Sequence, residues 1–406
     1  MLSRNFNLLT SVEVRKLSRL QFNGLLKLLK PCTVNKTQQA FITGKAARTD
    51  RPPRPPPFDY KNKAYKYWNV LTDPMFERFD DNSKIVVIDG LPATGKDKFA
   101  KKLAEELEMH YMPPPRFSDL LVDEYGFDYR TLNSQLPVDA QFFDEKTFLE
   151  NPTGRNSTAI QVNFFSLRYH QYLIALTHLL STGEGVVIQR CPWSDMVFMH
   201  AMKDCGYVPQ RGYDYYKSCL EYGLHRILRP HLVIYLDIPA SIVKERIKQR
   251  GLPHEVNSKA LTIEYLSNIE RYYKDNYLPT ISNHAHTLVY DWTNEGDMIF
   301  IVDDIEQLQF ENYPRENPKM GDWKFDTRDD QRAARGFYAN DRLELLNNLQ
   351  VPRFDVPEML ITGQDVEKRK NLIGKLQDQG VIAEYEKGFN YDRDEGVLWR
   401  IRRLRK

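Results

Sequence analysis

The segment Gly90-Leu-Pro-Ala-Thr-Gly95-Lys96-Asp97 constrains this chain more than any other. Before it, Ile-Val-Val-Ile-Asp at 85–89 is a short β-branched run, the pattern of a buried parallel strand. After it, Lys98 to Glu108 has helical periodicity, with Phe99, Leu103 and Leu107 on one face. A strand, a Gly-x-x-x-x-Gly-Lys loop and a helix in that order define a P-loop. There, backbone N–H groups at a helix N-terminus cradle phosphate. The expectation is an α/β chain in three layers, a parallel sheet flanked by helices, with extended N- and C-terminal arms.

The same loop carries a defect. Lys96 stands where a lysine reaches the outer phosphates, but the next position, normally a hydroxyl on Mg²⁺, is Asp97. A carboxylate there faces phosphate and repels it, although it can still hold Mg²⁺. It also has a purely structural use, since an acid in a first helical turn contributes about 0.3–1 kcal/mol without any ligand. Pro92 removes one more N–H from the loop.

Further motifs extend the pattern. Residues 186–198 read Val-Val-Ile-Gln-Arg-Cys-Pro-Trp-Ser-Asp-Met-Val-Phe, a strand ending in Gln189-Arg190 followed by Ser194-Asp195. Upstream, Gln161 and Arg168 stand seven residues apart on a predicted helix, near one face and two turns apart. Residues 232–238 form a second buried apolar run, and Glu245-Arg-Ile-Lys-Gln-Arg250 follows it. Residues 265–274 read as a further helix, and 287–291 as the last strand of the sheet.

From about residue 84 to 310 these motifs resemble the deoxynucleoside kinase family. By that resemblance Gly90, Gly95, Lys96 and Asp97 form the phosphate loop, and Gln161, Arg168 and Asp195 read a nucleobase. Arg190 belongs to the motif that follows the third strand, and Arg246 and Arg250 to the lid that clamps phosphate, with Leu252 where another Arg is common. Arg168 with Asp195 has a second reading, a core ion pair that must be satisfied with or without ligand. The family's Glu-Arg-Ser is Gln-Arg-Cys here, and its Glu-Pro base region matches Tyr111-Met-Pro-Pro-Pro-Arg116, which offers no carboxylate. Asp119 and Glu124 are the nearest acids in sequence. General-base help is worth about 10²–10⁴-fold, and Mg²⁺ placement more. The chain is therefore expected to have a kinase shape without catalytic residues. A mitochondrial nucleoside or nucleotide kinase, and a nucleotide-sensing subunit, stand as alternatives.

The ends supply an address. Residues 1–48 carry nine Lys and Arg against the single acid Glu13, with leucines at loosely helical spacing. That is the composition of a mitochondrial transit peptide, set against a solvated basic tail or a membrane-surface helix. Arg51-Pro-Pro-Arg-Pro-Pro-Pro57 excludes helix and central strand and predicts an extended polyproline arm, within a Pro-rich arm and linker over 49–83, read as lying on a partner's surface with an SH3 ligand as the alternative. Residues 311–406 are expected to be an extension for subunit contacts. Within them, 326–335 reads as a solvated helix, 341–349 as an amphipathic one, and 359–361 and 397–401 as short strands or arms. Five cations lie among Arg400–Lys406; they suit anionic lipid headgroups, an acidic partner or a plain solvated tail, and no nucleic-acid fold accompanies them.

Net charge is +2, and no run reaches the roughly 18–20 apolar residues of a membrane span. The four cysteines, Cys32, Cys191, Cys205 and Cys219, show no Cys-x-x-Cys pair, so neither a disulfide framework nor a metal site is expected. A kinase-like body behind a transit peptide and a proline arm, with a long C-terminal extension, resembles the kinase-like accessory subunits of respiratory complex I. That resemblance implies a supernumerary subunit at the mitochondrial inner membrane, peripheral on its matrix side, contacting other subunits of the membrane arm and supporting their assembly and stability. It requires no cofactor. It leaves room for a bound adenine nucleotide or deoxynucleotide, with FAD by family association alone, since no Gly-x-Gly-x-x-Gly follows a strand.

Overall fold

The computed structural model describes residues 41–48, 53–66, 68–123, 126–311, 313–314 and 316–382. Five parallel strands form one sheet: β1 Ile85–Gly90, β2 His110–Met112, β3 Val186–Gln189, β4 Leu232–Asp237 and β5 His286–Asp291, in the order β2-β3-β1-β4-β5. β1 is central and buried along all six residues, as its unbroken β-branched run requires. The chain leaves β1 for the β2 edge, returns through β3 and crosses to β4. The carboxyl end of β1 is thus a topological switch point, the place where such sheets bind ligands.

The helices used below are α1 Lys96–Glu106, α2 Ser157–Thr182, α3 Met196–Asp204, α4 Gln210–Leu224, α5 Ala240–Arg250, α6 Ile263–Tyr272, α7 Met298–Glu306, α8 Arg328–Asn340, α9 Arg342–Asn347 and α10 Gly363–Asp378. α1 buries Phe99, Leu103 and, just past its end, Leu107, the face its sequence period marks out. α2 is 26 residues long and buried almost all round, so it needs cover on both sides. The sheet gives one side and the C-terminal segment the other. Tyr338 of α8 accepts at its carbonyl from Thr177 Oγ1 (2.9 Å) and donates its hydroxyl to the Arg226 carbonyl. No helix among the described residues is long and apolar enough to cross a membrane.

Two expectations about the ends need correction, and a third gains an intramolecular contact. Residues 41–48, assigned by composition to the leader, pack into the body. Ile42 is fully buried, the Asn82 amide donates to the carbonyls of Thr43 (2.8 Å) and Leu107 (2.7 Å), and the Gly44 N–H donates to Glu306 (2.6 Å). The described part of the proline arm lies against its own domain. The Arg78 guanidinium donates to the Pro56 carbonyl (2.9 Å), and the Phe58 N–H reaches the Ser181 carbonyl. The helix read as solvated at 326–335 is α8, and its Arg335 is fully buried. Arg335 pairs with Asp73 and lies over the Tyr65 ring, 3.6 Å from its centroid, with Phe58 4.8 Å away. Asn340 and Tyr65 also exchange two hydrogen bonds, so the N- and C-terminal segments are tied to each other.

The amphipathic reading of 341–349 fits α9, where Leu345 and Leu349 are buried. Residues 357–359 form a short 3₁₀ turn and not a strand. The leader up to residue 40, Glu124, the segment 397–401 and Arg400–Lys406 lie outside the described residues.

Candidate functional site

The site is built where β1 turns into α1. Gly90 leaves the strand at φ +148°, and a Cβ there would stand 2.9 Å from the Leu236 carbonyl, so β4 packs too close for a side chain. Gly95 takes φ +81° to start the helix, and Ala93 is left-handed at φ +56°. Such a backbone points its N–H groups inward. Lys96 folds back over the loop. Its ammonium donates to Gly90 O (3.1 Å), Thr94 Oγ1 (3.0 Å) and Leu91 O. Burial, then the nearby Arg190 charge, hold the Lys96 ammonium well below its ordinary pKa.

Asp97 occupies the first turn of α1, as its helix-start reading requires, and its carboxylate is engaged. Tyr111 donates to it at 2.5 Å, Gln189 at 3.2 Å, and Lys101 pairs with it at 3.0 Å. The Tyr111 hydrogen bond is the main reason its pKa is lowered. Gln189 also donates to the Tyr111 hydroxyl at 2.8 Å. This cluster accounts for two departures from the family pattern together. An amide at 189 donates to Asp97, whereas a carboxylate there would face another carboxylate. Tyr111 is a site residue the sequence analysis missed. Only its place at the end of an edge strand beside the loop could have marked it.

The second half of the site joins α2 to the start of α3. Gln161 and Arg168 fall on one face of α2, as their seven-residue spacing implies, and both meet Asp195. Asp195 is fully buried; it accepts from Gln161 (2.8 Å) and Tyr216 (2.5 Å) and pairs with Arg168. Burial, then the Arg190 charge, lower the Arg168 pKa to about 10. Asp195 thus holds both residues, a contact that fits the core-pair reading and the nucleobase set alike. Tyr216, on α4, carried no motif that could have announced it.

Arg190 follows β3 at φ +61°, a strained conformation for a side-chain-bearing residue. Its guanidinium lies 4.2 Å from the Phe198 ring centroid, and its buried Nε has no hydrogen-bond partner. Asp89, buried at the end of β1, also has one oxygen without a partner, and burial raises its pKa. The cations Lys96, Arg168 and Arg190 lie near the loop, with the Asp89 carboxylate beside Lys96 and Asp195 paired to Arg168, and the Arg190 charge is the one best placed for a phosphate-bearing ligand.

The lid arginines are each engaged by neighbours, although the Arg250 charge still bears on Lys96. Arg246 donates to the carbonyls of Trp292 (3.0 Å) and Thr293 (2.8 Å), and Arg250 pairs with Glu255. In the Pro-rich segment after β2, the Asp119 carboxylate caps the Arg116 N–H at 2.8 Å, and the Pro113 carbonyl accepts from Gln171.

A five-stranded parallel sheet with a P-loop at its switch point, and a Gln–Arg–Asp set beside it, define a nucleoside-kinase-like P-loop protein. The chain belongs to the deoxynucleoside kinase family, whose family model, described as "Deoxynucleoside kinase", matches residues 86–313. Over 337 residues it is 32% identical to the mouse (Mus musculus) protein NADH dehydrogenase [ubiquinone] 1 alpha subcomplex subunit 10, mitochondrial, covering 81% of this chain and 87% of that one. It is 24% identical over 228 residues to deoxyguanosine kinase of Dictyostelium discoideum, covering 56% of this chain and 70% of that one. Among solved structures, deoxyadenosine kinase from M. mycoides with bound dATP aligns at a TM-score of 0.42 and 17% identity, over 55% of this chain and 98% of that one.

Proposed function

We propose that this chain is an accessory, non-catalytic subunit of mitochondrial NADH:ubiquinone oxidoreductase (complex I). It stands peripherally on the matrix side of the inner membrane, where it supports assembly and stability of the membrane arm. The observation that carries this reading is the reach of the similarity. The mouse subunit matches 337 residues, 81% of this chain and well beyond the kinase-like 86–313, so the similarity runs into the terminal segments. Those segments are integral to the fold, tied down by Asn82, Arg335 and Asn340. Partners are other complex I subunits, and Arg400–Lys406 adds a cationic segment suited to anionic headgroups. The protein itself transfers neither electrons nor phosphate.

A nucleotide is the ligand the site suits best. Its phosphates would displace the Lys96 ammonium from the loop carbonyls and meet Arg190, whose buried Nε has no partner. A base would have to open the Gln161–Asp195–Arg168 set. No residue of the site singles out a flavin. The alternative, an active kinase, is countered by Asp97, Gln189 and a Pro-rich segment where the base should stand.

The purified full chain with Mg-ATP and the four common deoxynucleosides is expected to show no phosphoryl transfer above background. Asp97→Ser is expected to raise nucleotide affinity, by removing negative charge beside the phosphates, and still to give no turnover because the base is missing. Turnover near 1 s⁻¹, the low end of about 1–100 s⁻¹ for kinases, would overturn the reading.

A further inference from the structure

On the β2 side of the sheet, three segments bring nitrogen and oxygen donors together. His110 begins β2, His178 lies in the last turns of α2, and Glu184 sits in the loop that leads to β3. One donor atom from each lies within 4.8 Å of the other two. His178 Nε2 is 3.0 Å from Glu184 Oε2, and the two imidazoles stack with centroids 4.5 Å apart. Sequence spacing gave no sign of this set, because the three residues come from separate segments.

We propose that His110, His178 and Glu184 form a binding site for a divalent transition metal of the Zn²⁺ class. Two imidazoles and one carboxylate are a known three-ligand Zn²⁺ set, and they exclude Mg²⁺ and Ca²⁺, which take mainly oxygen. Ligand atoms on a tetrahedral Zn²⁺ stand about 3.3 Å apart, from bonds of about 2.0–2.1 Å. His178 and Glu184 are already near that separation. His110 and Glu184 are only partly buried and have room to close the rest by side-chain rotation.

The surrounding residues are arranged to orient the ligands. His178 Nδ1 lies 2.9 Å from the Tyr60 hydroxyl, on the side of the ring opposite Glu184. In the tautomer protonated at Nδ1, that proton is donated to the Tyr60 oxygen and the Nε2 lone pair is free to turn to the ion. An outer hydrogen bond of this kind fixes ring orientation and is typically worth about 10–100-fold in metal affinity. Three protein ligands leave a fourth position for water; Glu184 also lines a surface cavity of about 440 Å³ with Met109 and Tyr111. Because Tyr60 belongs to the N-terminal arm, a bound ion would fasten that arm to the edge of the sheet.

The test is calorimetric titration of the full chain with ZnCl₂, paired with Co²⁺ absorption spectra. One Zn²⁺ per chain is expected, with a four-coordinate Co²⁺ spectrum and no competition from excess Mg²⁺. His110→Ala and Glu184→Gln are each expected to weaken Zn²⁺ at least tenfold and abolish the Co²⁺ spectrum. Tyr60→Phe, which keeps all three ligands, is expected to weaken Zn²⁺ about 10–100-fold. Less than one Zn²⁺ per chain, or affinity unchanged in both His110→Ala and Glu184→Gln, would overturn the site. Circular dichroism of each variant separates loss of ligand from loss of fold, and Glu184→Gln, at the partly exposed position, decides if His110→Ala unfolds.

Discussion

Asp195→Ala is expected to lose about 3–5 kcal/mol of stability, read as a lowered urea midpoint with an unchanged slope. The carboxylate is fully buried and holds Gln161, Tyr216 and Arg168. Removing it leaves the Arg168 guanidinium buried without its counter-charge and facing Arg190, whose like charge already lowers the Arg168 pKa. The cost is therefore dominated by the orphaned cation, and a second substitution should recover part of it. Arg168→Met combined with Asp195→Leu is expected to be markedly more stable than Asp195→Ala alone, since an apolar pair of similar volume often matches a buried ion pair. A double variant as unstable as the single one would show that hydrogen bonds to Gln161 and Tyr216, and not the charge pair, carry the energy.

The second large effect lies far from the nucleotide site. Arg335→Ala is expected to cost about 2–4 kcal/mol and to loosen both chain ends together. The side chain is fully buried, packs against Tyr65 and Phe58 and pairs with Asp73. Asp73 keeps Arg78 as a second partner, so the loss falls short of that for a carboxylate left alone. What goes is the stacked guanidinium, which joins the arm, Asp73 and α8 in one contact. Limited proteolysis within 53–66 should then accelerate, and Arg335→Lys should rescue little because an ammonium cannot stack as a planar cation does. Unchanged protection of 53–66 would contradict this role for Arg335.

The centre of the fold was legible because its signals are local. A β-branched run, a glycine loop and a 3.6-residue period lie within about 25 residues, and each maps directly onto β1, the P-loop and α1. The seven-residue spacing of Gln161 and Arg168 likewise survives folding, because one helix carries both. The errors arise where a partner lies far off in sequence. Residues 326–335 read as solvated because charge suggests water, yet Arg335 finds Asp73 262 positions away. The leader boundary at 48 was set by basic composition, which cannot register that Ile42 is buried or that Asn82 clasps Thr43. The lid arginine Arg246 was placed by motif, whereas its neighbours, the carbonyls of Trp292 and Thr293, lie past β5. Asp97 was readable as a helix-start residue, but its bonds to Tyr111 and Gln189 required three segments to meet.

On the proposed reading, the Asp97–Tyr111–Gln189 cluster and the Lys96 contacts to its own loop belong to a kinase-like site that serves as a scaffold for the wrapped ends. The most direct measurement of that claim is native electrophoresis of detergent-solubilised mitochondria, probed for this chain and stained for NADH dehydrogenase activity. The chain is expected to migrate with the active, very large assembly, and its depletion to lower the amount of that assembly. Recovery of this chain only as a free monomer or dimer, with the assembly intact after depletion, would contradict the account.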